Sequence, residues 1–453
     1  MRVKQKRFLQ GVLLTITAIL SGANIVLAEG NIFDQNWNDR EIQQRIEMGI
    51  KTNRMGFATL SFVDQNGRPV SEVEVKVEQT RSDFLFGANI FYLNGYDSPE
   101  MNRKYEEMFT RLFNFATVGF YWNWVEPKPG DLRYDRNSPF IVRKPAPDVV
   151  VDFCRKNQLE MRGHPLCWVP SQPDWLPRDK EKLASLQRKR FQEIGARYAR
   201  KIKYWDVVNE PTNRHVDAVL PDDCTCWALQ LTDKYFTPEN ALSVNTTTID
   251  SWLNFYWEDS PFYLLVKNLQ LRGARLDFIG MQFHIDGHAF AEDFYAGKVL
   301  TPEHLSRVLD QYGKLGLPIH ISEITLPTPR TPDGEEMQAK AARHLYRLWF
   351  SHPNVQAITW WNLGDDHATM FYECKGALMR PGLVPKPSYV ALDRLINHEW
   401  KTRLVLTSEK ESKIKFQGFY GSYTITARHK GKIQTETIHL SKTGFNEFEI
   451  RFR

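Results

Sequence analysis

The middle of the chain alternates short apolar runs with stretches of helical periodicity. Eight of the runs have the length of buried strands, and each is separated from the next by room for a helix. They cover residues 84–90, 115–120, 159–164, 202–210, 241–245, 277–284, 317–323 and 355–361. Eight such units predict an α/β fold, a closed (β/α)8 TIM barrel over residues 84–398. An open doubly wound sheet is the alternative, but no glycine-rich phosphate loop follows the first run to favour it.

Two of the intervening helices have readable starts. The sequences Ser98-Pro99-Glu100 and Thr301-Pro302-Glu303 each place a capping hydroxyl, a proline and an acid in order. Proline fits the first helical position, and an acid in the first turn favours the helix N-terminus. We therefore expect helices to begin at these two prolines.

The two ends of the chain alternate apolar and polar residues instead. Residues 55–80 do so on both sides of the turn sequence DQNGRP, which predicts two strands joined by a turn. Residues 422–441 and 445–452 alternate in the same way, with a KGK turn in the first stretch. We expect small β-rich segments at residues 29–83 and 399–453. Neither is large enough to bury a stable core alone, so both should pack on the barrel or on each other.

Residues 1–28 have the three parts of a secretory signal peptide. A basic start, MRVKQKR, precedes an apolar stretch over residues 8–20, and a small-residue exit ends at Ala28. The apolar stretch is too short for a comfortable membrane span. We expect a cleaved leader and a secreted or periplasmic protein without stable membrane insertion, and an uncleaved N-terminal anchor is the alternative.

Charge and composition narrow the classes of partner. The formal net charge is +5, and four of the positive charges belong to the basic start. A nearly neutral mature chain gives no electrostatic reason to expect nucleic acid. The five cysteines match neither a metal site nor a disulfide framework in their spacing. We expect a monomer that requires no metal ion or other cofactor.

Polar and aromatic side chains gather where the predicted strands end, and in a TIM barrel those ends converge on one face. They include two carboxylates, two imidazoles, two amides and two indoles, on Glu210, Glu323, His164, His284, Asn209, Gln282, Trp168 and Trp361. Indoles stack on sugar rings, amides and imidazoles bind hydroxyl groups, and paired carboxyl groups can cleave a glycosidic bond. His320 and Trp360 alternate with these positions, so we expect them to point away into the surrounding packing.

Glu210 and Glu323 are the last residues of the predicted fourth and seventh barrel strands. Strands three steps apart in an eight-stranded barrel face each other across its mouth, so the two carboxyl groups can approach closely. A separation of about 5–5.5 Å would make one the nucleophile and the other the acid/base, with retention of anomeric configuration. A buried ion-pair role for Glu210 is the alternative.

Five short sequences carry a resemblance to a known family. They are RGHPLCW (162–168), WDVVNEP (205–211), GMQFHID (280–286), HISEI (320–324) and PKPSYVAL (385–392). In this order, at the expected strand ends, they resemble the family 10 glycoside hydrolases, the xylanase family. The resemblance implies Glu210 as acid/base, Glu323 as nucleophile and Asn209 on the sugar 2-hydroxyl. It also implies that the bound sugar is lined by His164, Trp168, Gln282, His284 and Trp361.

The sequence departs from the family pattern after the second predicted strand. Family members there carry a Glu-Asn pair and then a Lys-Trp pair, which hold the second sugar on the non-reducing side. This chain has Gly119-Phe120 and then Asn123-Trp124. The lost polar groups predict weak binding of unsubstituted xylan, with Phe120 either filling that place or stacking on a different or decorated sugar.

Together these features predict a retaining β-glycosidase that acts on xylan or a related plant β-glycan. A non-xylan or exo-type specificity within the same family stays open. A catalytically silent sugar-binding protein is the competing class, but a binder has no need for the paired glutamates.

Overall fold

The computed structural model describes residues 31–213, 219–368 and 372–453, so the signal-peptide prediction for residues 1–28 lies outside it. The described chain begins with two helices, α1 (Ile32–Trp37) and α2 (Arg40–Arg54), which the prediction of a β-rich start missed. The side chains of Asn31 and Asp39 cap them by accepting backbone N–H groups. Strands β1 (Met55–Val63) and β2 (Glu74–Ser82) follow.

Eight parallel strands form a closed barrel, which confirms the predicted TIM-barrel fold. Each strand overlaps one of the eight apolar runs. In order round the barrel they are β3 (Leu85–Asn89), β4 (Phe115–Gly119), β5 (Glu160–His164), β6 (Tyr204–Asn209), β7 (Ala241–Thr246), β8 (Phe278–His284), β9 (Ile319–Thr325) and β10 (Val355–Trp360), and β10 pairs with β3.

Helices surround this barrel and share an apolar core with its outer face. Ser98 accepts the N–H of Met101, and Thr301 accepts that of His304, so both predicted helix starts are confirmed. The helices are α3 (Pro99–Leu112), α4 (Trp122–Val125), α5 (Pro147–Lys156), α6 (Lys180–Tyr198), α7 (Cys224–Tyr235), α8 (Pro261–Leu271), α9 (His288–Tyr295), α10 (Pro302–Gly313), α11 (Gly334–Ser351) and α12 (Pro387–Arg394). In the described part of the chain, none is long and apolar enough to span a membrane.

The two ends of the chain meet in a small β sandwich. After a short hairpin, β11 (Met379–Arg380) and β12 (Val384–Pro385), the chain forms β13 (Arg403–Thr407), β14 (Lys413–Phe419), β15 (Gly421–His429), β16 (Lys432–Leu440) and β17 (Glu447–Arg451). One sheet has the order β14-β1-β17 and the other β13-β2-β15-β16. Their facing apolar side chains share one core. The ends therefore pack on each other, but β1 and β2 lie in different sheets instead of pairing as one hairpin.

Arg54, the last residue of α2, joins the N-terminal helices to the barrel. Its buried guanidinium donates to the carbonyls of Phe350 and His352 at 2.5 Å and of Val355 at 2.7 Å. It also lies 4.7 Å from the ring centroid of Phe84. Burial lowers the pKa of Arg54 to about 9. One side chain thus supplies the donors for three carbonyls around the junction of α11 and β10.

Replacing Arg54 with alanine should lower the free energy of unfolding by about 2–4 kcal/mol, because three carbonyls of buried residues lose their donor. Urea unfolding followed by tryptophan fluorescence measures the change. Arg45→Ala is the matched control, since that guanidinium is 51% exposed in its ion pair with Asp310 and should contribute about 1 kcal/mol or less. Equal losses in the two variants would contradict the joining role of Arg54.

Candidate active site

A cavity of about 380 Å³ opens at the carboxyl ends of the barrel strands. We refer to it as the barrel-mouth cavity. Its walls contain all eight site residues predicted from the sequence, which are His164, Trp168, Asn209, Glu210, Gln282, His284, Glu323 and Trp361. The barrel therefore brings together side chains from four of its strands and from the loops that follow them.

A buried charge network lies directly beneath this cavity. Asp206 accepts a hydrogen bond from His164 Nδ1 at 2.7 Å and from Ser243 Oγ at 2.8 Å, and it lies 3.3 Å from Arg162 Nε. Burial by itself raises the pKa of Asp206, but these partners outweigh burial and bring the pKa down to about 2. The carboxylate is therefore ionised and fixes the proton of His164 on Nδ1. His164 Nε2 then faces Glu323, 3.7 Å away.

Glu323 is buried near the end of β9 and is surrounded by polar partners. Asn245 Nδ2 donates to its Oε1 at 2.9 Å, and His284 Nε2 lies 3.1 Å from its Oε2. Burial raises the pKa of Glu323, but the His284 hydrogen bond and the nearby His164 outweigh this effect and lower it. The site thus holds Glu323 as a carboxylate, which is the form that can attack carbon.

Glu210 lies opposite Glu323 and is partly exposed. Its Oε1 accepts from Gln282 Nε2 at 3.2 Å, and its Oε2 accepts from Trp168 Nε1 at 3.0 Å and from Asn213 Nδ2 at 2.8 Å. Gln282 Nε2 also lies 3.3 Å from Glu323 Oε1. One amide nitrogen therefore bridges the two carboxyl groups, so they stand close together across the barrel mouth.

Asn245, near the end of β7, connects this pair to Asn209. The sequence analysis did not predict a role for it. Its Nδ2 donates to Asn209 Oδ1 at 2.7 Å as well as to Glu323. A Cβ at Gly280 would lie 2.4 Å from Asn245 Oδ1, so glycine in β8 provides the space for this amide. Asn209 Oδ1 is thereby engaged as an acceptor, and its amide nitrogen is the donor group of this side chain.

The structure contradicts the prediction that His320 points away from the barrel interior, because its side chain lies inside the barrel. Its ring centroid is 6.2 Å from that of Phe115, 5.4 Å from Tyr204 and 4.2 Å from Phe278, and these residues begin three separate strands. Side chains from those strands meet in the barrel interior. A register shift between β8 and β9 breaks the alternation, so that both His320 and Glu323 face inward. Burial lowers the pKa of His320 to about 3, so it is neutral.

The prediction for Phe120 is also wrong. Its ring is fully buried and packs against Tyr198 and Trp205, with both centroid distances at 5.0 Å, between the barrel and its helices. It neither fills the cavity nor offers a face to a sugar. Trp360 faces outward as predicted, with its ring 6.4 Å from Tyr346 of α11.

Residues 97–393 match the family model for glycosyl hydrolase family 10. The chain belongs to this family. The resemblance seen in the five sequence motifs is thereby confirmed. The match runs from just before α3 into the last turn of α12, so it covers the barrel strands β4 to β10.

Individual relatives of this family 10 glycoside hydrolase are distant. Endo-1,4-beta-xylanase B of Thermotoga neapolitana is 27% identical over 331 residues, which are 68% of this chain and 88% of the relative. Anti-sigma-I factor RsgI6 of Acetivibrio thermocellus is 26% identical over 381 residues, which are 82% of this chain, yet this chain spans only 45% of that protein. The structure of xylanase 10B from Thermotoga petrophila RKU-1 in complex with xylobiose superposes with a TM-score of 0.58 at 24% identity. That match covers 70% of this chain and 95% of the other and reflects the shared barrel fold.

Several residues that line the cavity of this glycoside hydrolase escaped the sequence analysis, among them Phe91, Tyr121, Arg143 and Asp286. Phe91 lies 5.2 Å from Trp124 and 5.6 Å from Trp361, and Tyr121 lies 5.7 Å from Trp168, between ring centroids. These rings form an aromatic wall suited to the apolar faces of sugars. The aromatic cluster FYWNW (120–124) after the second strand was the available signal. Among the described residues, no group of three His, Cys, Asp or Glu could hold a metal ion.

Replacing His284 with alanine should lower kcat by about 10- to 1,000-fold, because a positioned polar contact to Glu323 is lost. The same change removes a hydrogen bond that lowers the pKa of Glu323. That pKa should rise, and the acidic limb of the kcat/KM profile should move to higher pH. Profiles of wild type and His284→Ala on an aryl β-glycoside test this, with the exposed His288→Ala as control. An unmoved acidic limb would contradict the role assigned to His284.

Proposed function

We propose that the protein is a retaining β-glycosidase that cleaves xylan or a related plant β-glycan. Glu323 is the nucleophile and Glu210 the general acid/base. The observation that carries this proposal is the asymmetric pair of carboxyl groups bridged by Gln282. Glu323 is buried and its pKa is lowered, whereas Glu210 is partly exposed beside the open cavity, where it can exchange protons with a leaving group and with water.

The reaction proceeds by two displacements at the anomeric carbon. In the first, a Glu323 oxygen attacks this carbon while protonated Glu210 gives its proton to the glycosidic oxygen, so that the leaving sugar departs as an alcohol. A covalent glycosyl-enzyme ester remains. In the second, Glu210 as carboxylate takes a proton from water, whose oxygen attacks the anomeric carbon and releases Glu323. Two inversions give net retention.

The spacing of the two carboxyl groups supports retention. Gln282 Nε2 lies 3.2 Å from one and 3.3 Å from the other, so their nearest oxygens are brought close together. Retaining enzymes hold the pair about 5–5.5 Å apart, whereas inverting enzymes leave about 6.5–9.5 Å for a water molecule. A shared amide favours the shorter separation.

The comparisons support xylan as the substrate class. Several relatives are named endo-1,4-beta-xylanases, and one similar structure holds xylobiose. We also propose that residues 1–28 direct export, that the mature chain acts as a monomer without a cofactor, and that residues 84–398 form the catalytic unit between the two segments of the sandwich.

A silent sugar-binding protein is the second candidate function. One observation favours it, the similarity to an anti-sigma-I factor over 82% of this chain. The resemblance to the family adds a second reason, since it implies a lysine where this chain has Asn123. The intact hydrogen-bonding environment of both glutamates argues for the enzyme, because binding alone does not require an acid/base pair.

Product analysis on a panel of plant polysaccharides tests the proposed function. We expect β-linked oligosaccharides or sugars with retained configuration, detected by NMR at early time points. Release from aryl β-glycosides should fall at least about 1,000-fold in Glu323→Ala, as for removal of a covalent nucleophile. Equal, negligible release from wild type and this variant would contradict the enzyme proposal and favour a sugar-binding protein.

Glu210→Ala should separate substrates by their leaving groups. Natural glycans need a proton on the leaving oxygen and should lose activity strongly, whereas activated aryl glycosides should lose far less. Added azide should then restore turnover by forming a β-glycosyl azide, identified by NMR. The exposed Glu107→Ala on α3 serves as the control. An α-configured azide product would contradict the assigned roles or the stereochemistry.

A further inference from the structure

Arg143 projects from the loop between α4 and α5 and lines the barrel-mouth cavity beside Tyr121 and Trp124. Its backbone has a φ of 65°, in the left-handed region that side chains with a Cβ rarely adopt. Among the cavity-lining residues that the structure describes, Glu210, with φ 54°, is the other one in this region. Strained backbone of this kind persists where the surrounding structure fixes a side chain for a task.

Among the residues that the structure describes, no carboxylate forms an ion pair with the guanidinium of Arg143. Its Nη1 is buried without a hydrogen-bond partner. The groups that act on it electrostatically are Tyr92, Tyr105 and Tyr121, and burial lowers the pKa of Arg143. Burial raises the pKa of all three tyrosines, so they remain neutral hydroxyls. A partly buried cation without an ion-pair partner carries a desolvation cost, and an incoming anion would reduce that cost.

The loop that carries Arg143 is held in place by a second arginine. Arg133 is buried, and its guanidinium donates to the carbonyl of Trp124 at 2.7 Å, of Pro139 at 2.8 Å and of Lys144 at 3.2 Å. These bonds fix the loop against the aromatic wall. Arg143 is therefore a positioned cation at the rim of the sugar site, rather than a side chain that moves freely in solvent.

We infer that Arg143 is a specificity residue for acidic glycans, binding the carboxylate of a uronic acid unit on the β-glycan. A guanidinium matches a carboxylate with two parallel N–H donors. Asn123, whose Oδ1 is also buried without a partner, lines the same part of the cavity and can accept from a hydroxyl of that unit. This inference rests on the proposed function, since it assigns the substrate class of the same site.

The test compares two substrates that differ only in charge. They are xylan bearing glucuronate side groups, and the same polymer after reduction of its carboxyl groups to alcohols. Wild type should show a kcat/KM about 10- to 100-fold higher on the acidic polymer, as expected for a charge-assisted contact. Arg143→Ala should bring this ratio close to one. Arg143→Gln keeps hydrogen-bonding capacity without charge and should do the same, which separates carboxylate recognition from hydroxyl recognition.

Arg136→Ala is the matched control, because it removes a cation from the same loop. That guanidinium is 66% exposed and pairs with Asp152, outside the cavity, so the preference should persist. A ratio near one in wild type, or a ratio unchanged in both Arg143 variants, would overturn the inference. Calorimetry measures the same preference without turnover. It compares the affinities of acidic and reduced oligosaccharides for Glu323→Ala, with and without Arg143→Gln. If no glycan is cleaved, the proposed function fails, and this binding ratio still decides for or against Arg143.

Discussion

The structure depends on one buried carboxylate, Asp206, in the middle of the barrel. A charge in this position is tolerated because Arg162, His164 and Ser243 all face it. Arg162 also donates to Thr117 Oγ1 at 3.0 Å and to the carbonyl of Ser322 at 2.8 Å. Five strands are thereby tied together at the barrel axis, just beneath the place where a glycosidic bond would lie.

This network explains why two glutamates in one cavity differ. His164 is oriented from below by Asp206 and has its Nε2 3.7 Å from one oxygen of Glu323, while His284 bonds the other oxygen. Glu210 lies one layer higher, among neutral N–H donors from Trp168, Asn213 and Gln282. The difference in environment therefore follows from depth in the barrel, and it matches the separate demands of a nucleophile and a proton donor.

The sequence was most informative where regular periodicity decides the structure. The eight barrel strands and the capped starts at Pro99 and Pro302 follow from local patterns, and the convergence of strand ends follows from the barrel itself. His320 was misplaced because of the register shift before Glu323. That shift depends on how β8 and β9 pair, and the alternation of residues within one strand cannot predict it. Phe120 was misplaced for a related reason. At the end of a strand, neighbouring residues point alternately into the cavity and toward the surrounding helices, and Phe120 points toward the helices. Arg143 was missed because it lies in an irregular loop, whose path is set by hydrogen bonds from the buried guanidinium of Arg133.

The sandwich has a consequence for the order of folding. Its central strands, β1 and β2, come from the beginning of the chain, and their neighbours β13, β14, β15 and β17 come from the end. One contact across it, from Ser61 to Phe448, spans 387 positions. Closing so long a loop is entropically costly unless the barrel has formed and brought the two chain ends together. The barrel is therefore the template for the sandwich, and a chain that stalls before the barrel closes leaves two central strands with both edges open to other molecules.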